Sequence, residues 1–374
     1  MEENVFFERI EKVRGKMDVK GIDAFFVSPS SNLFYLTGYE LKGDERLFLL
    51  VLPAGGVPSE DDEPFILANL LYKEQVKRLP VKDSVFWKDG ENPFVLLKAE
   101  IEKRNIKMKT AALEPSLPAL FSLPMSQNFP GVRFELGSSL TDPLRQIKDE
   151  NELSLIRRAC RESDRALAAV MDKGVYWIGK NEEEFGEALS SELRKGGVTY
   201  FSATIAVGEN AALPHYGIGR ARIEKGKCFL TDFWGRLGGY YTDCTRTFHF
   251  GKPEKEFEKI HAVVLETQEA AQRKALPGNT LGDVDEAARS VIEKYGYGGN
   301  FTHRTGHGLG IDIHEGVSAD RGVNVPLVPG MVFSIEPGIY LPGRFGVRIE
   351  NLVAIGEKGP EILHAYPREL KVIE

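Results

Sequence analysis

Five residues able to bind a metal fall in order along the C-terminal half of the chain: Asp232, Asp243, His307, Glu336 and Glu350. Four carboxylates and one imidazole held together carry too much unpaired charge to be buried without a cation. Two divalent ions among them turn the same side chains into a compact shell of oxygen and nitrogen ligands. Each residue lies in a stretch that reads as a strand or a glycine-bounded turn, where side-chain direction is well fixed. The set therefore points to metal-assisted hydrolysis.

Asp232 and Asp243 are eleven apart on opposite arms of an expected hairpin, Phe229 to Phe250, which turns at Gly238-Gly239. That spacing brings both carboxylates to one end of the ladder. Solvated edge charges are the alternative reading, and the apolar run Cys228-Phe229-Leu230 before Asp232 argues against it. His307 sits in His303-Arg304-Thr305-Gly306-His307-Gly308-Leu309-Gly310, whose glycines allow close backbone approach. This stretch lacks the Lys-Ser/Thr ending of a phosphate loop and the spacing of a dinucleotide fingerprint. A lone histidine is more often a core residue, but three of the seven in the chain, His303, His307 and His314, fall within twelve positions. Glu336 precedes Pro337-Gly338. Arg348 and Glu350, two apart on an expected strand, share a face. The guanidinium is thus placed to brace a ligand carboxylate, to contact substrate, or to form a surface ion pair.

The elements that position these residues repeat. A helix ending near Gly174 and a second closing at Lys195-Gly196-Gly197 precede the first acid. A helix ending near Pro277-Gly278 and another closing at Lys294-Tyr295-Gly296 precede the third, Glu336. Gly226-Lys-Cys-Phe229-Leu-Thr-Asp232 aligns with Gly330-Met-Val-Phe333-Ser-Ile-Glu336, which gives a diluted repeat of about 100 residues. Two such halves packed about a pseudo-twofold place Asp232 opposite Glu336, with Asp243 and Glu350 each on the next strand. Pro342-Gly343 is expected to turn the second hairpin.

Before this region, a helix over Phe6 to Lys20 alternates with apolar strands at Ile22–Val27, Leu47–Leu52, Ile66–Leu70, Val85–Trp87 and Ala111–Leu113. This predicts an α/β layer domain. A boundary is expected at residues 143 to 150, leading into an amphipathic helix that buries Leu153, Ile156, Ala159, Ser163, Leu167 and Val170. With 374 residues and a net charge of -7, the chain has room for two cores and shows no basic run suited to nucleic acid. The start, Met1-Glu2-Glu3-Asn4, has no signal-peptide core. The longest apolar run, Leu47 to Pro53, is too short to span a bilayer. Cys160, Cys228 and Cys244 match neither a disulfide framework nor a zinc-finger spacing. A cytoplasmic protein without membrane partners is expected.

As a set, Pro214-His215-Tyr216, Asp232…Asp243-Cys-Thr-Arg246-Thr247, His303-Arg-Thr-Gly-His307-Gly-Leu-Gly, His314-Glu315, Glu336-Pro-Gly and Gly346-Val-Arg348-Ile-Glu350 resemble the Xaa-Pro peptidases. These are the prolidases and aminopeptidases P of the pita-bread metallopeptidase family. Asn32-Leu-Phe-Tyr35-Leu-Thr-Gly38 resembles the creatinase-type N-terminal domain of the same family. The resemblance implies an α/β creatinase-like domain over residues 1–145 and an α+β pita-bread catalytic domain with an internal pseudo-twofold over 146–374. It implies a homodimer, and two divalent metal ions, Mn²⁺ first, with Co²⁺ or Zn²⁺ as alternatives. Asp232 would bind one ion, His307 and Glu336 the other, and Asp243 and Glu350 both. A metal-bridging hydroxide would attack the bond before proline in Xaa-Pro dipeptides or short peptides. Glu336 would shuttle the proton, His215 and His314 would assist at the scissile amide, His303 would lie near substrate, and Arg348 would brace the site.

Phe201, Tyr216 and Trp234 are the expected pocket walls. Where the family has Asp-Phe-Gly, this chain has Asp232-Phe233-Trp234-Gly235, which brings a bulky ring beside the metals. Asn351 stands where Asp is common, and Arg321 and Arg344 are the candidates for holding a dipeptide carboxylate. Two other functions use this scaffold: a metal-independent creatinase-like amidinohydrolase, and a non-catalytic peptide-binding module. The complete ligand set argues against both.

Overall fold

The computed structural model describes residues 3–55 and 63–374; Met1 and Glu2 of the acidic start lie outside the described residues. The chain forms two units, Met1–Arg145 and Gln146–Glu374.

The first unit runs α1 (Glu3–Lys20), β1 (Ala24–Val27), α2 (Ser31–Thr37), β2 (Leu49–Pro53), β3 (Phe65–Asn69), α3 (Lys73–Val76), β4 (Ser84–Trp87), α4 (Pro93–Lys103), β5 (Thr110–Leu113), α5 (Ala119–Asn128), β6 (Arg133–Leu136) and α6 (Ser138–Arg145). Its six strands lie in the order β4-β3-β2-β1-β5-β6. The expected strands are present. β6 is additional, because its half-exposed Arg-Phe-Glu-Leu carries no apolar run to announce it. β1 to β3 are buried along their whole length, as continuous apolar strands covered on both faces must be. The Asn32–Gly38 motif forms α2. Ser30 caps it by accepting from the Leu33 amide, and Gly38 ends it at φ 68°, a conformation that favours glycine. Asn32 donates to Glu114 and accepts from Arg145 at 2.9 Å, so this motif braces its own unit.

The second unit opens with α7 (Glu150–Met171) and α8 (Glu182–Lys195), followed by β7 (Thr199–Val207), β8 (Lys227–Leu237) and β9 (Tyr240–Phe250). It then repeats the helix pair as α9 (Lys255–Lys274) and α10 (Leu281–Lys294). Short strands follow: β10 (Gly306–His307), β11 (Ser318–Ala319), β12 (Val332–Ile335), β13 (Gly338–Leu341), β14 (Phe345–Arg348), β15 (Asn351–Gly356), β16 (Gly359–Ile362) and β17 (Val372–Ile373). The second helix of each pair starts with a capping box, Asn181 with Glu184 and Thr280 with Asp283. α7 buries each of the six residues expected on its inner face. Fully burying a leucine or isoleucine there contributes about 1.5–3 kcal/mol.

Strand alternation decides what the long hairpin presents. On β8, Phe229, Phe233 and Leu237 pack into the same apolar cluster as Leu167 and Val170 of α7 and Phe185 and Leu189 of α8. The intervening residues, Asp232 and Trp234 among them, face the other way. β9 continues the pattern: Cys244, Phe248 and Phe250 join the helix-side cluster, leaving Asp243, Thr245 and Thr247 on the opposite face. Gly238 and Gly239 turn the hairpin at φ 60° and 93°, the two positive values a tight two-residue turn requires.

The second hairpin differs from the first. β12 pairs with β15 and β13 with β14 as separate ladders, broken at Glu336-Pro337 and at Ile349-Glu350. Pro337 has no amide hydrogen to continue a ladder, so the break falls there. The two ligand glutamates sit at the interruption. The Glu336 amide bonds to the Thr305 carbonyl at 2.8 Å and the Glu350 amide to the Thr245 carbonyl at 3.1 Å.

Candidate metal centre

Register brings the first two acids together. Asp232 lies opposite Thr245 and Trp234 opposite Asp243, so all four side chains share one face and one end of the hairpin. β10 supplies His307, and the interrupted second hairpin supplies Glu336 and Glu350. Donor atoms of Asp243, His307 and Glu350 lie within 4.8 Å of one another. His307 Nε2 is 3.4 Å from Glu336 Oε1 and 3.6 Å from Asp243 Oδ2. The His307 ring is set by its other nitrogen: Nδ1 donates to the Gly308 carbonyl at 3.2 Å, which leaves Nε2 with a lone pair directed at the acids. Gly306 is needed here, because a Cβ would stand 1.7 Å from the Ser334 carbonyl oxygen.

The donors fit divalent cations. Asp243 Oδ1 and Glu350 Oε1 are buried and accept no hydrogen bond among the described residues. Burial, and then repulsion from Asp232 and Glu336, pushes the Asp243 carboxyl well above its ordinary range. Glu350 is raised in the same way, by burial and then by Asp243, and burial also raises Glu336. Such a cluster resists being charged as it stands, and positive ions in its centre remove the conflict.

Other side chains fix the acids. Thr245 donates to Glu350 Oε2 at 2.7 Å, and Ser334 bridges the His307 amide and Glu336 Oε1. Arg348 is buried, and its Nη2 bonds Asp232 Oδ2 at 2.6 Å; a surface ion pair is therefore excluded. Its Nη1 donates to the Tyr340 hydroxyl at 2.7 Å. Tyr340 in turn contacts His303 Nε2 at 2.8 Å, while His303 Nδ1 bonds the Arg304 carbonyl. Because Nδ1 carries the hydrogen, Nε2 accepts from Tyr340, and the bonds run in one direction from Arg348 through Tyr340 to a neutral His303. Burial, followed by the charge of Arg348, lowers the His303 pKa to about 4. Burial does the same for His314, also to about 4, assisted by His307 and Arg304.

A cavity of about 490 Å³ opens onto the acids, within the range of small-molecule sites. His215, His303, His314 and Trp234 line it, as do Arg304 and Arg348. Three expectations are corrected by position. Tyr216 is not among the lining residues: its hydroxyl contacts Glu182 at 3.1 Å and Asn210 at 2.9 Å, so it braces its loop. Phe201 packs against the helix-side core. Arg321 and Arg344 are tied to Glu293 and Glu256 on the surface, away from the cavity. Of the two guanidinium groups that do line it, Arg348 is tied to Asp232, whereas Arg304 is held by Ser318 Oγ at 2.9 Å and, among the described residues, is in no ion pair with a carboxylate.

The sequence pattern of the creatinase/prolidase N-terminal domain matches residues 9–147, and that of metallopeptidase family M24 matches residues 154–357. The chain belongs to metallopeptidase family M24. This M24 peptidase is similar along its whole length to three solved structures. A recombinant prolidase from Thermococcus sibiricus superposes with a TM-score of 0.91 at 34% identity, covering 98% of this chain and 99% of that one. The dipeptidase PepE from Mycobacterium ulcerans gives 0.92 at 31% identity, covering 100% and 99%. A dipeptidase from Pyrococcus horikoshii OT3 gives 0.90 at 36%, covering 97% and 99%. Among the described residues, no helix of this M24 peptidase is long and apolar enough to cross a membrane.

Proposed function

We propose that this M24 peptidase is a dinuclear-metal Xaa-Pro dipeptidase, with residues 1–145 as its creatinase-like domain and 146–374 as its catalytic domain. The observations that carry the metal reading are the buried, unpartnered oxygens on Asp243 and Glu350 and the clustering of donor atoms of Asp243, Glu350 and His307 within 4.8 Å of one another. Asp232, Asp243, His307, Glu336 and Glu350 would hold the ions; this oxygen-rich donor set suits Mn²⁺, with Co²⁺ or Zn²⁺ as substitutes. Ions bound there would lower the pKa of a bound water to about 7 and polarise the scissile carbonyl.

The chain's own residues do the rest. Glu336, raised by burial, takes the proton released as the water attacks and passes it towards the leaving nitrogen. His215 donates to the developing oxyanion. His314 stands by the leaving nitrogen, on the cavity wall. Trp234 narrows the cavity around a proline ring, whose amide nitrogen offers no hydrogen for recognition. The like-named relatives support the substrate class, and Arg304 supports the dipeptide: it is a cation on the cavity wall free to take the substrate's terminal carboxylate. A homodimer follows from the family resemblance, and a reducing cytoplasm from three free cysteines.

The test compares Xaa-Pro, Xaa-Pro-amide and Xaa-Pro-Yaa as substrates under Mn²⁺. The expected order is dipeptide well above the other two, with Arg304→Gln raising KM for the dipeptide and leaving the amide unchanged. Equal turnover of tripeptide and dipeptide would make this an aminopeptidase, and no turnover of any would end the peptidase reading.

A further inference from the structure

Back to back with Asp243, on the helix side of β9, the catalytic unit carries a second group of metal-binding donors that peptide hydrolysis does not use. Donor atoms of Asp164 on α7, Cys244 on β9 and His364 after β16 lie within 4.8 Å of one another. The His364 side chain is completely buried, and Nδ1 bonds Asp164 Oδ1 at 2.9 Å. The other Asp164 oxygen accepts from the Ala365 amide at 2.6 Å, so the carboxylate is locked in place. His364 Nε2 is buried, and what faces it is sulfur, from Cys244 and from Cys160 one helical turn before Asp164. An imidazole braced through one nitrogen by a carboxylate, with the other nitrogen facing thiols, is how proteins present histidine to zinc. A cavity of about 660 Å³ adjoins the group at Asp164, with Ala168, Ala365 and Tyr366 also in its wall.

We propose that His364 Nε2, Cys244 and Cys160, with Asp164 holding the imidazole through Nδ1, form a second cation site for a thiophilic divalent ion of the zinc class. It is distinct from the peptidase centre by donor type. The centre on the opposite face offers only carboxylates and imidazole and suits harder ions, whereas sulfur and nitrogen select soft ones. An ion held here ties α7, β9 and the segment after β16 to one point, and so adds stability by mass action.

Sulfur makes the test specific, because no candidate ligand of the peptidase centre carries it. The full chain, loaded with Mn²⁺, is titrated with Co²⁺ while near-ultraviolet absorption is followed for thiolate-to-cobalt charge transfer. The expected result is a band that saturates at a single equivalent per chain and is abolished by a single equivalent of Zn²⁺. It is expected to persist in Glu336→Gln and Cys228→Ser and to be lost in Cys244→Ser and His364→Gln. The wild-type titration needs no variant to fold: absence of the band at any Co²⁺ concentration overturns the proposal. A band that survives Cys244→Ser overturns it equally.

Discussion

Tyr340→Phe removes one oxygen atom and nothing else from the site, which makes its consequences calculable. In the native chain that hydroxyl accepts from Arg348 Nη1 at 2.7 Å and contacts His303 Nε2 at 2.8 Å, fully inside the protein. Phenylalanine leaves a guanidinium hydrogen and an imidazole nitrogen buried without that partner. Losing one partner of a buried pair costs about 1–3 kcal/mol, near the upper end where a charge is involved. For a catalytic unit of this size, each kcal/mol lowers Tm by about 2–4 °C, so a fall of roughly 4–12 °C is expected. Arg348 is the brace on Asp232, and its freed end lets that carboxylate turn away from the geometry held at 2.6 Å. If about 1.4–2.8 kcal/mol of the lost interaction is felt in the transition state, kcat falls roughly ten- to a hundred-fold. Four of the five ligands keep their own partners and Asp232 keeps Arg348 as a neighbour, so metal content at saturating Mn²⁺ should stay at the wild-type value. Steady-state kinetics on an Xaa-Pro dipeptide, differential scanning calorimetry and metal analysis check the three parts. Unchanged kcat and Tm would refute the relay, and loss of metal in step with activity would make Tyr340 a determinant of metal affinity instead.

Two further predictions concern stability. Asp243, Glu336 and Glu350 have raised carboxyls, so their contribution is complete below the ordinary carboxylate range and lost as pH rises through their folded values. His261, His303 and His314, lowered to about 4, act in the opposite sense, losing stability as pH falls below about 6.5. His364, whose folded value is also raised, acts in the same sense as the acids, so Tm of chelator-treated protein should fall as pH rises through these folded values and Mn²⁺ should flatten the acids' part of the slope; a flat metal-free profile would contradict the charge conflict. Glu182, fully buried, accepts from the Val207 amide, Asn210 and the Ala221 amide and contacts the Tyr216 hydroxyl around the loop that carries His215. Glu182→Gln should cost about 1–3 kcal/mol and lower kcat, read by calorimetry and kinetics; wild-type values in both would show that the loop holds without it.

Much of the site's skeleton could be read before the structure. The order of the acids, the glycine pair that turns the first hairpin, and the strand parity that puts Asp232 and Asp243 on one face are all local properties. The interruption of the second hairpin was announced by Pro337 but not weighed, so two equal hairpins were expected. Long-range partners were the harder part. Tyr340 reads as core on an apolar strand, and only its register in the β13–β14 pair, on the same face as Arg348, signals more. Tyr216 adjoins His215 in sequence, which suggested a pocket wall, yet its hydroxyl is spoken for by Glu182, 34 residues earlier. Arg304 is harder to single out than Arg321 and Arg344, because an amino-acid sequence does not reveal which arginines already have carboxylate partners.

The central claim is that the buried acids coexist because cations lie among them, and anomalous scattering from crystals grown with Mn²⁺ tests it directly. Two manganese peaks among Asp232, Asp243, His307, Glu336 and Glu350 are the predicted result. A map with no such peak, and with Asp243 and Glu350 protonated and hydrogen-bonded to neighbouring carboxylates, would contradict it.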